Sequence, residues 1–476
     1  MDPVNPDLKL AMTGLLERQP AYRLARRYYE GAHDLTYIGP EYRDTFAKSL
    51  KGMRYNRCAT IVDVHADKLQ ITGFIPEGTV DAAAIDLNKV AMEIWRRNRM
   101  DRRAGEVHLE AFSLGDGYCI VWPNDINQAV IYPQLGDRCW VRYGDDGLAI
   151  DLALKLWRLA DKRWRANLYY RDRVEKYVTG SNEDGIPAEA STWSIFEEED
   201  SSWPLAYPWG EGMPVFHFGN RARTGQLGVS EIHDLIPLQD AINKSLCAQI
   251  VAEEFSSFPQ RYVIGMAMTT NDAGDIISPF KNGAGELWAM GPGDSDSGPA
   301  SFGQFQIGDI TQFTQAQDGI DKKISNVSRV PAHWLGLNST FTSGEQLKTA
   351  EAPFTAKIED RQIAFGNVWE DVMGFCLRVE SGAAPETLQL STQWRSAAPR
   401  SPKDFWQIAT LKLNAGVAEE EIWREAGYDE DKIAEWLKAK QEREAQAAQM
   451  GAALRMAMND QAPPEGDSGA AAGSAA

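Results

Sequence analysis

Residues 230 to 258 and 308 to 330 read as two helical rods, and the stretch between them cannot build a core of its own. The first rod carries Ile232, Leu235, Ile236, Leu238, Ile242, Leu246, Ile250 and Val251 on one broad face. At 1.5 Å per residue it would extend about 40 Å. Ser230 is its expected N-cap, and Pro237 is expected to kink the first turns. Residues 259 to 306 are rich in glycine and proline, as in Gly291-Pro292-Gly293 and Gly298-Pro299, with only short apolar patches such as Tyr262-Val263-Ile264 and Leu287-Trp288. The second rod ends at Pro331. Rod, excursion and rod describe two helices side by side with a small module at their tip. A lone chain gains little from such a projection, whereas a ring of identical copies buries the flanks of the rods against neighbours.

Core material is not limiting elsewhere. The chain has 476 residues, 43 % of them hydrophobic, and 15 tryptophans, which is globular composition and long enough for more than one structural region. Met1 to Leu10 shows no secretory signal and no stretch has the length of a membrane span, so folding in a cytoplasm and no membrane partner are expected. The five cysteines, Cys58, Cys119, Cys139, Cys247 and Cys376, are odd in number and form no C-x-x-C pair, so they read as reduced thiols. A net charge of −19 argues against tight capture of nucleic acid, because duplex affinity comes from lysine and arginine neutralising phosphates. It suits passage: an acidic wall repels a moving duplex and keeps friction low.

The rest of the chain gives an α+β expectation. Helices are expected from about Leu8 to Gly31 and Asn56 to Leu69, then a short strand from Ile71 to Ile75. One further helix from about Leu87 to Ala111 bears Arg96-Arg97 and Arg102-Arg103, read as a solvated face or a surface between copies. From Gly117 to Phe218 strands alternate with turns, as in Tyr118 to Trp122, Ala129 to Tyr132, Ala149 to Trp157, Trp164 to Tyr170 and Val174 to Val178, and read as an antiparallel meander. Its aromatic residues are expected in core or cross-strand pairs. After Pro331 come the loop Ala332 to Gly344, a helix from Glu345 to Val379, two or three helices within 392 to 447, and a tail from Gln461 expected to be disordered.

Few catalytic constellations survive inspection. There is no G-K-[ST] to cradle a nucleotide, no H-E-x-x-H, and no G-x-S-x-G elbow. His108 with Glu110 is too little for a metal site, so neither a metal nor another cofactor is expected, and no enzymatic activity. Glu197-Glu198-Glu199-Asp200 reads as a solvated loop. A carbohydrate-active hydrolase using paired carboxylates in the Trp-rich strands is the enzymatic alternative. Lys322-Lys323 on the second rod reads as facing a neighbouring copy rather than a duplex, and His333-Trp334 as packing at the base of a loop.

Three blocks in order carry a resemblance. The first is Arg26-Arg27-Tyr28-Tyr29-Glu30-Gly31, then Arg54-Tyr55-Asn56-Arg57-Cys58, Val62-Asp63-Val64 and Leu69 to Phe74. The second is Gly228-Val229-Ser230-Glu231-Ile232 leading into Leu238-Gln239-Asp240-Ala241-Ile242-Asn243-Lys244. The third is Val330-Pro331-Ala332-His333 followed by Ser343-Gly344-Glu345-Gln346-Leu347 and Arg361-Gln362. In order and spacing over about residues 20 to 440 the chain resembles the portal proteins of tailed double-stranded DNA bacteriophages, of the type found in siphophages of actinobacteria.

The resemblance implies the portal fold: a ring, usually of twelve subunits, with wing, stem, clip, tunnel loop and helical crown. Carried over, 1–225 is wing, 226–258 and 308–331 are stem, 259–307 is clip, 332–344 is tunnel loop, 345–390 is a long helix returning to the wing, 391–455 is a helical crown or wing region, and 456–476 is a disordered tail. Asn338, Ser339, Thr340, Thr342 and Ser343 become candidates to face DNA with weak hydrogen bonds, and Lys244, Lys322 and Lys323 candidates for contact between subunits. The first lysine after the loop is Lys348, so the loop itself does not grip phosphate by charge. The implied role is the channel at one capsid vertex of the virion, assembled in a bacterial cytoplasm, through which double-stranded DNA passes without sequence specificity. The implied partners are the terminase packaging motor, head-completion and adaptor proteins, and the major capsid and scaffolding proteins. Another virion ring or adaptor protein is the remaining alternative.

Overall fold

The computed structural model describes residues 5–33, 54–76, 82–180, 185–187, 189–197, 203–257, 261–264, 269–270, 272–273, 276–277, 301–304, 309–337, 344–381, 390–398, 402–428 and 430–459. The chain forms two compact units, residues 1–398 and 399–476.

The first unit opens with helix α1 (Pro6–Tyr29), which Asn5 caps by accepting from the Asp7 N–H at 2.9 Å. Pro6 at its first position gives up only an N–H that would have no helical partner, and Arg26 and Arg27 complement the C-terminal dipole. Leu8, Ala11, Met12, Leu15, Tyr22 and Ala25 recur at helical spacing and are buried. They form one core with Leu152, Leu154, Leu156, Trp164, Ala166 and Leu168 of the strands below.

Helix α2 (Arg57–Asp67) and strand β1 (Ile71–Pro76) follow as expected. The single long helix expected from Leu87 to Ala111 is two helices, α3 (Ala82–Arg97) and α4 (Met100–Leu114). The break has a cause. The buried Asn98 amide donates to the Ala129 carbonyl at 3.1 Å and accepts from the Ile131 N–H at 3.0 Å, so the side chain acts as a short extra strand edge. Arg99 then takes a left-handed conformation, φ 55°, to restart the helix in a new direction.

The expected meander is two sheets. Strands β2 (Asp116–Pro123) and β3 (Ala129–Gln134) pair antiparallel, while β4 (Cys139–Tyr143), β5 (Ile150–Arg158), β6 (Trp164–Tyr169), β7 (Arg173–Thr179) and β8 (Trp193–Ile195) form the second sheet in that order, with β9 (Leu205–Ala206) also on β7. Strand β10 (Val215–Gly219) leaves that order and pairs with β2, Val215 opposite Ile120 and Gly219 opposite Asp116. Residues 116 to 121 are all buried because α4 covers the strand closely. A Cβ at Gly117 would lie 2.5 Å from the Val107 carbonyl. As expected, the aromatic residues pack on one another: Trp122 meets Trp209 edge-on at 5.0 Å, and Tyr207 stacks on Trp209 at 4.7 Å.

The first rod is α5 (Ile236–Ser257), preceded by a 3-10 turn over His233–Leu235. At 22 residues it measures about 33 Å, shorter than expected. Pro237 does not kink it: the proline is the second residue, where no helical N–H is lost. Ser230 does not cap it either, since the helix begins only at Ile236; its hydroxyl accepts from the Ile232 N–H at 3.3 Å and donates to the Ser113 carbonyl at 2.6 Å. Beyond it lie short strands β11 (Arg261–Ile264), β12 (Thr269–Thr270), β13 (Ile276–Ile277) and β14 (Ser301–Gln304), with β11 antiparallel to β14 and β12 to β13. Helix α6 (Thr311–Ser328) returns antiparallel to α5, and Gln317 donates to the Gln249 side chain at 2.7 Å between them.

Helix α7 (Gly344–Ser381) matches the expected long helix and is the centre of the largest core. Its Trp369 meets Trp95 edge-on at 5.1 Å and donates to His108 Nε2 at 2.9 Å. His108 is therefore a core histidine held neutral, its pKa pushed down to about 3 by burial. Strand β15 (Leu390–Trp394), not expected from the sequence, closes the unit against β1. All five cysteines are buried and unpaired.

The second unit holds α8 (Pro402–Asn414), α9 (Glu419–Glu425) and α10 (Glu430–Asn459). Trp436 packs between Trp423 at 5.3 Å and Tyr428 at 4.9 Å. Helix α10 continues four residues into the segment expected as tail, and residues 460–476 lie outside the described residues.

Candidate functional site

The sequence blocks converge where the two rods enter the body of the first unit. There the rods are held by a set of paired buried polar groups.

The α5 rod reads the backbone just ahead of α2. Gln239 and Asn243, four residues apart on one face of α5, are 0 % and 1 % exposed. The Gln239 Oε1 accepts from the Arg57 N–H at 2.8 Å and the Cys58 N–H at 3.3 Å, and Asn56 Oδ1 takes the Ala59 N–H at 3.2 Å. The donors that open α2 are thus satisfied partly from another helix, by Gln239, and partly by its own N-cap, Asn56. Asn243 Oδ1 accepts from the Tyr55 N–H at 3.0 Å. Its amide also faces His33 Nδ1 at 2.9 Å, while His33 Nε2 lies 3.0 Å from the Tyr28 carbonyl. A carbonyl only accepts, so Nε2 carries the proton and Nδ1 receives the Asn243 amide; burial lowers the His33 pKa and favours that neutral form.

The α6 rod is held by charge. The Arg57 guanidinium meets Asp321 at two points, Nε to Oδ1 at 2.9 Å and Nη2 to Oδ2 at 2.6 Å, and Nη2 also donates to the Leu335 carbonyl at 2.6 Å. The two side chains are only 12 % and 6 % exposed. Below them the Lys357 ammonium of α7 pairs with Glu231 and donates to the Ser328 carbonyl at 2.8 Å. Burial alone would raise the Glu231 pKa, but the Lys357 charge and the Asn220 amide hold it below the usual carboxylate range; His65 beside it is neutral. Arg361 donates to Asn220 at 2.9 Å, and Gln362 to the Arg395 carbonyl at 3.0 Å.

The turn that launches α5 is pinned in the same manner. Asp116, fully buried, accepts from Arg18 and Tyr22 at 2.6 Å on one oxygen, and from the Gly228 N–H at 2.6 Å on the other, where His217 Nε2 also lies at 2.8 Å. Burial opposes its ionisation, yet these donors lower its pKa. Arg18 also takes the Gly228 carbonyl at 2.6 Å, so both backbone groups of Gly228 are held. A Cβ there would lie 2.0 Å from the Gly115 carbonyl, which fixes glycine at this position.

Of the residues singled out from the sequence, Lys244 is exposed on α5, and Lys322 and Lys323 are exposed on α6. Asn338, Ser339, Thr340, Thr342 and Ser343 lie outside the described residues. The base from which they spring is described and agrees with expectation: His333 lies 3.1 Å from Glu351, and Trp334 meets Phe354 edge-on at 5.1 Å. Sequence reading passed over Asp116, Asp321 and Lys357, whose partners are far away along the chain. Arg57, Gln239 and Asn243 stood within the blocks without a role. Among the described residues no three His, Cys, Asp or Glu side chains are grouped as metal ligands, and no helix is long and apolar enough to cross a membrane.

These features can be set beside known proteins. Residues 12–447 match the family described as phage portal protein, SPP1 Gp6-like. The portal protein of Mycobacterium phage L5 is 26 % identical over 226 residues, 45 % of this chain and 44 % of that protein, and that of Mycobacterium phage D29 is 27 % identical over a stretch of the same size. The chain thus aligns with less than half the length of these curated relatives. Among solved structures, a chain from the neck of an empty GTA particle has a TM-score of 0.46 at 12 % identity, covering 80 % of this chain and 90 % of that one. A chain from the virion of a native gene transfer agent particle also gives 0.46, covering 79 % and 89 %. With a family match spanning both rods, their root and all three sequence blocks, the chain belongs to the phage portal protein family, SPP1 Gp6-like.

Proposed function

We propose that this chain is one subunit of a closed ring, about twelve copies around a channel, through which double-stranded DNA enters and leaves a phage capsid at one vertex. The observation that carries the reading, beside the family match, is the contrast between root and flank of the rods. The root is held by buried ion pairs, Arg57 with Asp321 and Lys357 with Glu231, while along the flanks Leu246, Ile250 and Val251 stay partly exposed and Val327 is 50 % exposed. Neighbouring copies would cover those flanks. Lys244, Lys322 and Lys323 on the same rods would meet acids of the adjacent subunit.

In this reading residues 1–225 form the wing, α5 and α6 the stem, 259–307 the clip, and 332–344 the tunnel loop. The long α7 returns to the wing, and 391–455 form a helical crown or wing region. Asn338, Ser339, Thr340, Thr342 and Ser343 would touch the duplex through hydroxyl and amide groups that bind phosphate weakly and let it slide. The clip would seat the terminase motor during filling and head-completion or adaptor proteins afterwards, and the ring would join capsid and scaffolding proteins during assembly in the host cytoplasm. The role is mechanical, with no catalytic step and no cofactor.

The test is DNA filling. Replacing Thr340 and Thr342 by tryptophan should leave ring assembly intact and sharply reduce packaged DNA, whereas wild-type filling would refute the loop's place in the channel.

A further inference from the structure

We propose that Arg57 is a positioning residue that ties the α6 rod to the 332–335 turn from which the 338–343 segment springs, so that rod and loop base move as one body. The functional weight of this link rests on the reading of that segment as channel-facing. The link itself rests only on described geometry.

Three elements meet at one guanidinium. Its Nε and Nη2 hold the two oxygens of Asp321 on α6, and Nη2 also holds the Leu335 carbonyl. Its backbone N–H is held by Gln239 of α5, and its face lies 4.2 Å from the centre of the Tyr55 ring. The Arg57 backbone is thus anchored to α5, and its guanidinium lies over the Tyr55 ring while it holds both partners. A shift of α6 that keeps the two-point pair must carry Leu335 with it.

The Leu335 carbonyl belongs to a tight turn. The Gly336 N–H donates to the His333 carbonyl and the Leu337 N–H to the Ala332 carbonyl, each at 3.2 Å. On its far side the turn is braced to α7 by His333 with Glu351 and Trp334 on Phe354. The Arg57 guanidinium thus bridges this turn and α6 through a third element, in addition to the short chain link from Arg329 to Pro331. Arg57 is the first residue of α2, and its backbone N–H is held by Gln239 of α5.

Hydrogen–deuterium exchange on the purified, assembled protein reads the link without reference to DNA. Two variants separate it from simple stability. In Arg57→Lys a single ammonium keeps the charge beside Asp321 but lacks the fork that serves carboxylate and carbonyl together. In the exchanged pair Arg57→Asp with Asp321→Arg, the ion pair is restored but position 57 no longer donates to Leu335. In both, the amides of Gly336 and Leu337 should exchange about tenfold faster, the weight of one hydrogen bond from a charged donor, while those of α6 stay within about twofold of wild type in the exchanged pair. Packaging should fall with them. Wild-type exchange at 336 and 337 in Arg57→Lys would overturn the link whether or not the exchanged pair folds. Faster exchange with undiminished packaging would overturn its functional role. A protein that shows the exchange effect yet forms no ring would keep the link and discard the channel reading instead.

Discussion

Arg57 and Asp321 stand 264 residues apart in sequence and meet in a two-point ion pair, Nε to Oδ1 at 2.9 Å and Nη2 to Oδ2 at 2.6 Å, nearly closed to solvent. Removing one partner strands the other charge in the interior. Asp321→Ala should therefore cost about 3 to 5 kcal/mol, far more than loss of a surface pair. Denaturant unfolding of the purified protein measures it, with Arg221→Ala, whose exposed pair with Asp234 spans 3.0 Å, as the control of small effect.

Gly228→Ala should fail to fold. Its added methyl would sit 2.0 Å from the Gly115 carbonyl, backbone that cannot give way without moving the Asp116 cluster. The expected cost is about 3 kcal/mol or more, read as loss of soluble protein, while Gly180→Ala, where nothing lies within 4 Å, should express normally.

Acid should weaken the body through its buried histidines. Burial lowers the His65 pKa from 6.5 to about 4. The unfolded chain therefore takes up a proton that the folded chain refuses, and stability is full above about pH 6.5 and falls as the pH drops toward 4. For His65 alone the loss by pH 4 is about 3 kcal/mol. The unfolding midpoint followed from pH 7 to pH 4 should fall less steeply in His65→Asn than in the parent protein.

The exposed lysines of the rods should govern assembly rather than folding. Lys322→Glu together with Lys323→Glu should leave the melting temperature of the single chain within a few degrees and reduce the ring fraction in a salt-dependent manner. Sedimentation at low and high ionic strength separates the two effects.

What the sequence disclosed follows from how local each signal is. The rods, α1, α2 and α7 were legible because their apolar positions repeat at helical spacing over many residues. The break at Asn98 was not, because the cause is a side chain bonded to Ala129 and Ile131, 31 and 33 residues later. β10 was folded into the meander because its texture matches its neighbours, and only pairing with Asp116 to Ile120 shows that it belongs to the other sheet. The same limit hid the root of the rods. Gln239 and Asn243 look like ordinary polar residues of a helix, and only their burial against residues 55 to 58 reveals what they hold. The spacing of the three blocks carried the family; the bonds that join them are long-range and unwritten in any one block.

The central claim is a ring whose subunits cover each other's rods. Mass measurement of the purified protein combined with electron-microscope imaging tests it most directly. The account predicts a particle of about twelve chain masses with a central hole. A monodisperse single chain at high concentration, with α5 and α6 closed on its own body, would contradict it.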